Sequence, residues 1–303
     1  MVDFASHMVG HERAREQVAL MLEAAEARDR RVPSMLFRGP AGHGKTTLAQ
    51  AVAEAIGGSM TVALGANLQH PGALNRTILT ATAPDEDGEV QPCVVFIDEI
   101  HRASTGALET LYSVIEEGVA LLSTGGGSHA RQIRFEVPNV VVVGATTEPQ
   151  KLPRPLIDRM AAVELVPYTQ AEGAAIAKKR LHGRPADYLD VALRGRLNPR
   201  LIIALCERAL DYETVEGAID WEEVYRITGV GPRGLTDLDR QTLAAMRYTF
   251  DSSPVGLGSL ASALGISPAQ LAADVEPWLV KLGLIVRTPR GRILSQEGII
   301  QAG

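Results

Sequence analysis

Aromatic residues are scarce in this chain, 4% of 303 positions, and only two cysteines occur, Cys93 and Cys206. Two unclustered thiols supply neither a disulfide framework nor a zinc site, and they suit a reduced cytosol. An apolar signal core is missing from the opening MVDFASHMVGHERAR, and the longest apolar run, around Val140 to Val143, is far too short to span a bilayer. A soluble, cytoplasmic protein without membrane partners is therefore expected. Excess positive charge is also absent: the net charge is −6, so contact with nucleic acid would need a local basic patch. Apolar residues make up 46%, which excludes disorder and fibre as classes. At this length about two domains are expected, with three small ones possible, and the core needs no staple.

What is present is alternation. Glu12 to Arg28 places Ala14, Val18, Met21, Leu22 and Ala25 on one helical face. Ser34 to Arg38 reads as a short apolar strand that enters a glycine-rich turn and then a helix from Lys45 to about Ile56. Val94 to Ile97 and Val140 to Gly144 are apolar runs of the kind buried in a parallel sheet, with a helix from about Thr105 to Glu117 between them. Strands alternating with helices predict a doubly wound α/β domain up to about Val166. From Pro167 to about Gly229 the pattern turns helical. Thr169 to Glu172 forms a capping box, and Asn198-Pro199 opens a helix with apolar Leu201, Ile202, Leu205 and Leu210. Asp220 with Glu223 starts another. Beyond the linker-like GVGPRG, helices are expected from Thr236, around Ser259 to Leu264, and after Ser267-Pro268, the last turning Leu271, Val275 and Leu279 inward. Leu284 to Arg287 and Arg292 to Leu294 then flank the turn TPRG. Helix, turn, helix and hairpin is the order of a winged helix.

Chemistry enters at GPAGHGKT, Gly39 to Thr46, which fits G-x-x-x-x-G-K-[ST] between a strand and a helix. Gly39, Gly42 and Gly44 let backbone N–H groups turn toward phosphates. Lys45 would reach the β- and γ-phosphates of ATP, Thr46 would hold Mg²⁺ with Thr47 beside it, and the helix adds its positive end. CVVFIDEIHR delivers Asp98 and Glu99 to the carboxyl end of a strand, where ligands bind in open α/β sheets. Asp98 would hold Mg²⁺, mostly through water, and Glu99 would act as base on the attacking water. VVVVGATT ends in two hydroxyls. One of them, with Thr147 preferred, could sense the γ-phosphate, and a strand-ending cap fits the spacing equally well. Arg159 and Arg200 stand singly near turns or helix starts, where surface arginines are common.

The order GPAGHGKTTLA, FIDEIHR, GATT, PLIDR, NPR, GLTDLDR, SPVGL and EPWLVKLGLIVRTPRGR resembles the RuvB family, the bacterial AAA+ motors that drive branch migration of Holliday junctions. The likeness runs over nearly the whole chain, and its tail is the most specific part. It implies an AAA+ large ATPase domain at 1–166, a helical lid at 167–231 and a winged-helix DNA-binding domain at 232–303. It also implies that Asp98 and Glu99 are the Walker B pair, Thr147 is sensor 1, Arg159 is an arginine finger reaching a neighbour's ATP, and Arg200 is sensor 2. Val9, Gly10 and Tyr168 match the adenine side. A finger acting in trans implies a ring, expected to be a hexamer. The hairpin-like stretch 119–137 matches the one through which the family docks on its junction-binding partner, RuvA, although its tip departs from the usual sequence. Glu148, Ile157, Leu197 and Asn198 also depart from the family's arginine, arginine, glycine and threonine.

At the far end Lys281, Arg287, Arg290 and Arg292 follow one another with no acid between them. Arg287, Arg290 and Arg292 on a wing are expected to lie along the phosphates of double-stranded DNA, which carry no sequence code. Trp278 reads as core. Two other classes share parts of this pattern. An origin initiator or helicase loader would use ATP as a switch on DNA, and a P-loop enzyme acting on a small molecule would lack the winged helix.

Overall fold

The computed structural model describes residues 4–84, 87–124, 131–137 and 139–302. The chain divides into two compact units, Met1–Tyr168 and Thr169–Gly303.

The first unit is built on a five-stranded sheet of order β2-β3-β6-β1-β7, comprising β1 (Met35–Arg38), β2 (Ser59–Leu64), β3 (Cys93–Asp98), β6 (Val140–Thr146) and β7 (Ala161–Glu164). Every pairing is parallel. A strand buried on both faces must be apolar at every position, and here successive residues feed opposite cores. Cys93, Val95, Ile97, Val140, Val142 and Leu36 join helices α3 (Pro71–Ala81), α4 (Thr105–Glu117) and α5 (Arg154–Arg159). Val94, Phe96, Val141, Val143, Met35 and Phe37 join α1 (Glu12–Ala27) and α2 (Lys45–Ala55) on the other face. Phe37 and Phe96 are fully buried, each burial stabilising the unit by about 1.5–3 kcal/mol. The doubly wound α/β expectation is met, with additions: the edge strand β2, helix α3 and the last strand β7 lie outside the elements expected from sequence. Between α4 and β6, β4 (Val119–Thr124) and β5 (Arg131–Glu136) pair antiparallel, as the hairpin reading of 119–137 requires. Its Gly-rich tip, 125–130, lies outside the described residues.

The second unit opens with four helices, α6 (Gln170–Arg180), α7 (Tyr188–Arg194), α8 (Pro199–Glu216) and α9 (Trp221–Thr228). Thr169 and Glu172 form the expected capping box, Asn198 caps α8 ahead of Pro199, and the Asp220 side chain accepts from the N–H groups of Glu222 and Glu223. Leu201 is exposed while Ile202 and Leu205 are buried, so the inward stripe of α8 is narrower than its apolar content suggests. Next come α10 (Asp237–Ala244), α11 (Leu257–Ala263), α12 (Pro268–Gln270), α13 (Glu276–Lys281), the antiparallel pair β8 (Ile285–Thr288) and β9 (Gly291–Leu294), and α14 (Gln296–Gln301). This is a winged helix, and Leu271, Val275, Leu279 and Trp278 are in its core. Two π-helical turns, 245–249 and 271–275, widen its helices.

One ion pair ties the four-helix segment to the winged helix. Arg196, in the turn before α8 at φ 56°, donates to the fully buried carboxylate of Asp239 on α10 and to the carbonyls of Gly234 at 3.1 Å and Asp274 at 2.9 Å. The same Asp239 oxygen accepts from the Thr236 N–H at 2.7 Å and its hydroxyl at 2.6 Å.

Among the described residues, no helix is long and apolar enough to cross a membrane. Cys93 and Cys206 are free and buried, and burial raises the thiol of Cys206 to about 11.

Candidate active site

The phosphate loop leaves the carboxyl end of β1, the strand next to β6. Gly39 has φ 154°, and a Cβ there would sit 2.3 Å from the carbonyl oxygen of Leu165, so a side chain is excluded by contact with the segment after β7. Gly42 and Gly44 have φ 77° and 87°, turning successive N–H groups to one side. Gly44 precedes α2 with no side-chain cap, and a helix start of this kind suits an anion. Lys45 is buried, and its ammonium donates to the carbonyls of Gly39 at 2.9 Å and Pro40 at 3.0 Å. Thr46 and Thr47, in the first turn of α2, are exposed.

Asp98 ends β3, and its Oδ1 accepts the N–H of Glu99 at 3.0 Å. Glu99 has φ 50°, a left-handed conformation that costs a side-chain-bearing residue about 1–2 kcal/mol. Gly65, at the end of β2, explains how that turn is held: a Cβ there would lie 2.2 Å from the carbonyl oxygen of Glu99. Gly65 belongs to no motif, so sequence reasoning gives no reason to single it out.

The two hydroxyls at the end of β6, Thr146 in the strand and Thr147 just after it, separate by exposure. Thr146 is fully buried, its Oγ1 2.9 Å from His101 Nδ1 and accepting the Glu148 N–H at 3.0 Å. Thr147 is exposed, and its hydroxyl donates to Glu99 Oε2 at 3.4 Å. His101 is a second residue that sequence reasoning misses, although it stands within FIDEIHR. Its Nε2 lies 3.4 Å from Glu99 and 3.1 Å from Glu148. A hydrogen bond from Lys151 holds the Glu148 carboxyl below its ordinary range against a smaller effect of burial, with the Lys151 and His101 charges adding to the lowering.

Beside the loop, Val9 and Gly10 are half-buried and lead into His11, whose Nε2 lies 2.9 Å from the carbonyl oxygen of His43. Tyr168 is buried, its ring centroid 4.5 Å from that of His11 and 5.6 Å from that of His43. The phenol oxygen is 3.5 Å from where a Cβ of Gly44 would be. An aromatic wall therefore abuts the loop, and the two histidines in it have no sequence signal beyond their position.

Arg159 is held against α4. Its Nε pairs with Glu116 at 2.8 Å, its Nη1 donates to the Pro155 carbonyl at 2.9 Å, and its guanidinium covers the Tyr112 ring at 4.8 Å. Arg200 belongs to the second unit, in the exposed first turn of α8.

On the wing, Arg290 is exposed between β8 and β9. Arg287 and Arg292 of the acid-free run meet an acid from outside it. Glu276, 2% exposed, accepts from Arg287 Nε at 2.8 Å and from Arg292 Nε at 2.7 Å and Nη2 at 3.1 Å. The acid precedes the basic run by a few residues, and the hairpin folds back onto α13 to meet it. Burial alone would raise the Glu276 carboxyl, but the hydrogen bonds from Arg292 and Arg287 outweigh it and the group is held below its ordinary range. Lys281 lies over the Trp278 ring at 5.5 Å, and burial lowers its ammonium.

Comparison with known proteins gives a consistent outcome. The family model described as the Holliday junction DNA helicase RuvB P-loop domain matches residues 3–166, and that of the RuvB C-terminal winged helix domain matches 232–301. The Holliday junction branch migration complex subunit RuvB of Paenarthrobacter aurescens is 37% identical, over 94% of this chain and 80% of that protein. Its counterpart from Fervidobacterium nodosum is 35% identical, over 97% and 86%. A solved structure of the Thermotoga maritima RuvB Holliday junction branch migration motor superposes with TM-score 0.76 at 31% identity, covering 95% of this chain and 93% of that one.

Proposed function

The chain belongs to the RuvB family, and on that premise we propose that it is an ATP-driven motor that moves the branch point of Holliday junctions in recombination and repair. It is a P-loop ATPase. One observation carries the reading: the phosphate loop on β1, the acids on β3 and the hydroxyls on β6 come from strands that are neighbours in one sheet, and all reach its carboxyl edge.

ATP would lay its phosphates on the N–H groups of the loop and of the first turn of α2. Lys45 would exchange the carbonyls of Gly39 and Pro40 for the β- and γ-phosphate oxygens. Thr46 and Asp98 fit a Mg²⁺ ion, which would supply charge neutralisation at the phosphates. Glu99 takes the proton of the attacking water, and Thr147, already on its carboxylate, reports the γ-phosphate. Val9, Gly10 and Tyr168 would border the adenine. Arg159 would serve the ATP of the neighbouring subunit in a six-membered ring, and Arg200 takes the place of sensor 2 on the helical segment. Arg290 and Arg287 would rest on duplex phosphates, while Arg292 fixes the wing through Glu276. The hairpin at 119–137, with Ile133 and Phe135 exposed, would meet a RuvA-type partner in the cytoplasm.

The test is junction branch migration and ATP turnover, with and without a RuvA-type protein. Lys45→Ala and Glu99→Gln are expected to abolish both activities, and full turnover in both variants would refute the mechanism. Normal turnover with no junction movement, even with the partner, would favour a DNA-bound switch.

A further inference from the structure

His101 lies between two carboxylates that compete for one of its ring nitrogens. Its side chain is 4% exposed, and Nε2 is 3.4 Å from Glu99 Oε2 and 3.1 Å from Glu148 Oε1. The other ring nitrogen faces the Thr146 hydroxyl oxygen, which already accepts the Glu148 N–H. Nε2 faces two carboxylates, which only accept, so a hydrogen sits on Nε2. One hydrogen then has two acceptors. Glu148 is the nearer, and Lys151 fixes it by binding its second oxygen, Oε2, at 2.8 Å. Glu99 also receives the Thr147 hydroxyl on the oxygen that faces His101.

Resting on the assignment of Glu99 as the base, we propose that Glu148 is a positioning residue for ATP hydrolysis: it takes the Nε2 hydrogen of His101 and so frees Glu99 to act on water. While the hydrogen points to Glu99, that carboxylate oxygen is held toward His101 and away from an attacking water. When the hydrogen passes to Glu148 the base is released, and no buried donor is left unpaired. Glu148 itself does not touch the reacting atoms.

The experiment is steady-state ATP turnover by the full chain, read as kcat and KM separately. Glu148→Ala is expected to lower kcat about tenfold with KM for ATP unchanged, the loss associated with one hydrogen bond to a charged group. Glu148→Gln keeps an acceptor and should retain most of the rate. Adding His101→Ala, which removes the competing hydrogen, should make Glu148→Ala silent, so that the double variant matches His101→Ala alone. Wild-type kcat in Glu148→Ala, additive losses in the double variant, or a defect confined to KM would each overturn the proposal. Full turnover in Glu99→Gln would instead remove the base assignment, and this proposal with it.

Discussion

Truncating Arg196 to alanine strips a fully buried carboxylate of its cation. Asp239 would keep the Thr236 N–H and hydroxyl on Oδ2, while its Oδ1 is buried without a hydrogen-bond partner. Removing one member of a buried pair costs about 3–5 kcal/mol, because the remaining charge stays desolvated. The two surviving hydrogen bonds argue for the lower end, and the bonds lost at Gly234 and Asp274 argue against going below it, so about 3 kcal/mol is expected. Alanine keeps the Cβ, so the left-handed backbone at φ 56° is equally strained in both chains and the difference reports the pair. The sequence supplies the assay: the two tryptophans, Trp221 and Trp278, both fall in the second unit, and their fluorescence in urea reads that unit alone. The companion chain Arg196→Met/Asp239→Leu should recover most of the loss, since an apolar pair of similar volume needs no charge compensation. A loss below about 1 kcal/mol for Arg196→Ala would refute the reasoning.

Glu276 gives a pH dependence. Its carboxyl is depressed below the ordinary 4.5, so its contribution to stability is complete above that value and is lost as pH falls through the lower folded value. The stability gap between wild type and Glu276→Gln should therefore shrink as pH falls below about 4.5, and a constant gap would contradict the assignment. Gly39→Ala would drive a Cβ to 2.3 Å from the Leu165 carbonyl; nucleotide affinity is expected to fall at least tenfold, as read by titration with a fluorescent ATP analogue. Arg290→Ala should weaken duplex binding alike for all sequences and reduce the slope of log affinity against log salt by about 0.9, whereas a sequence-dependent loss would mean base contact.

The sequence is most legible where one residue type has one use. Glycines ahead of Lys45 and acids after an apolar run have few other readings, and they locate the loop, β3 and β6. Edge elements are harder. β2 is half-exposed along its length, so SMTVAL lacks a buried run, and α3 begins with Pro71 under an unusual His70 cap. β7 is only four residues, and α7 only seven. Partnerships between distant residues leave no local trace at all. His101 reads as one more polar residue until β6 brings Thr146 and Glu148 beside it, and Glu276 looks outward-facing until the wing closes over it. Charge counted along the chain misleads for the same reason: the basic run is free of acid in sequence but not in space.

The strand order also fixes when this protein can first hold nucleotide. β1 pairs with β6 and β7 but not with β2, so the loop next to Phe37 is braced by Ala145 and Val163, residues synthesised far later. A chain emerging from the ribosome carries the whole glycine loop early, yet it has no pocket until β6 slots between β1 and β3. Pairing across so long a span is slow and costly in chain entropy. ATP at cellular concentration would bind only after that insertion and would then oppose its reversal, so the fuel of the motor also acts as the latch of its folding.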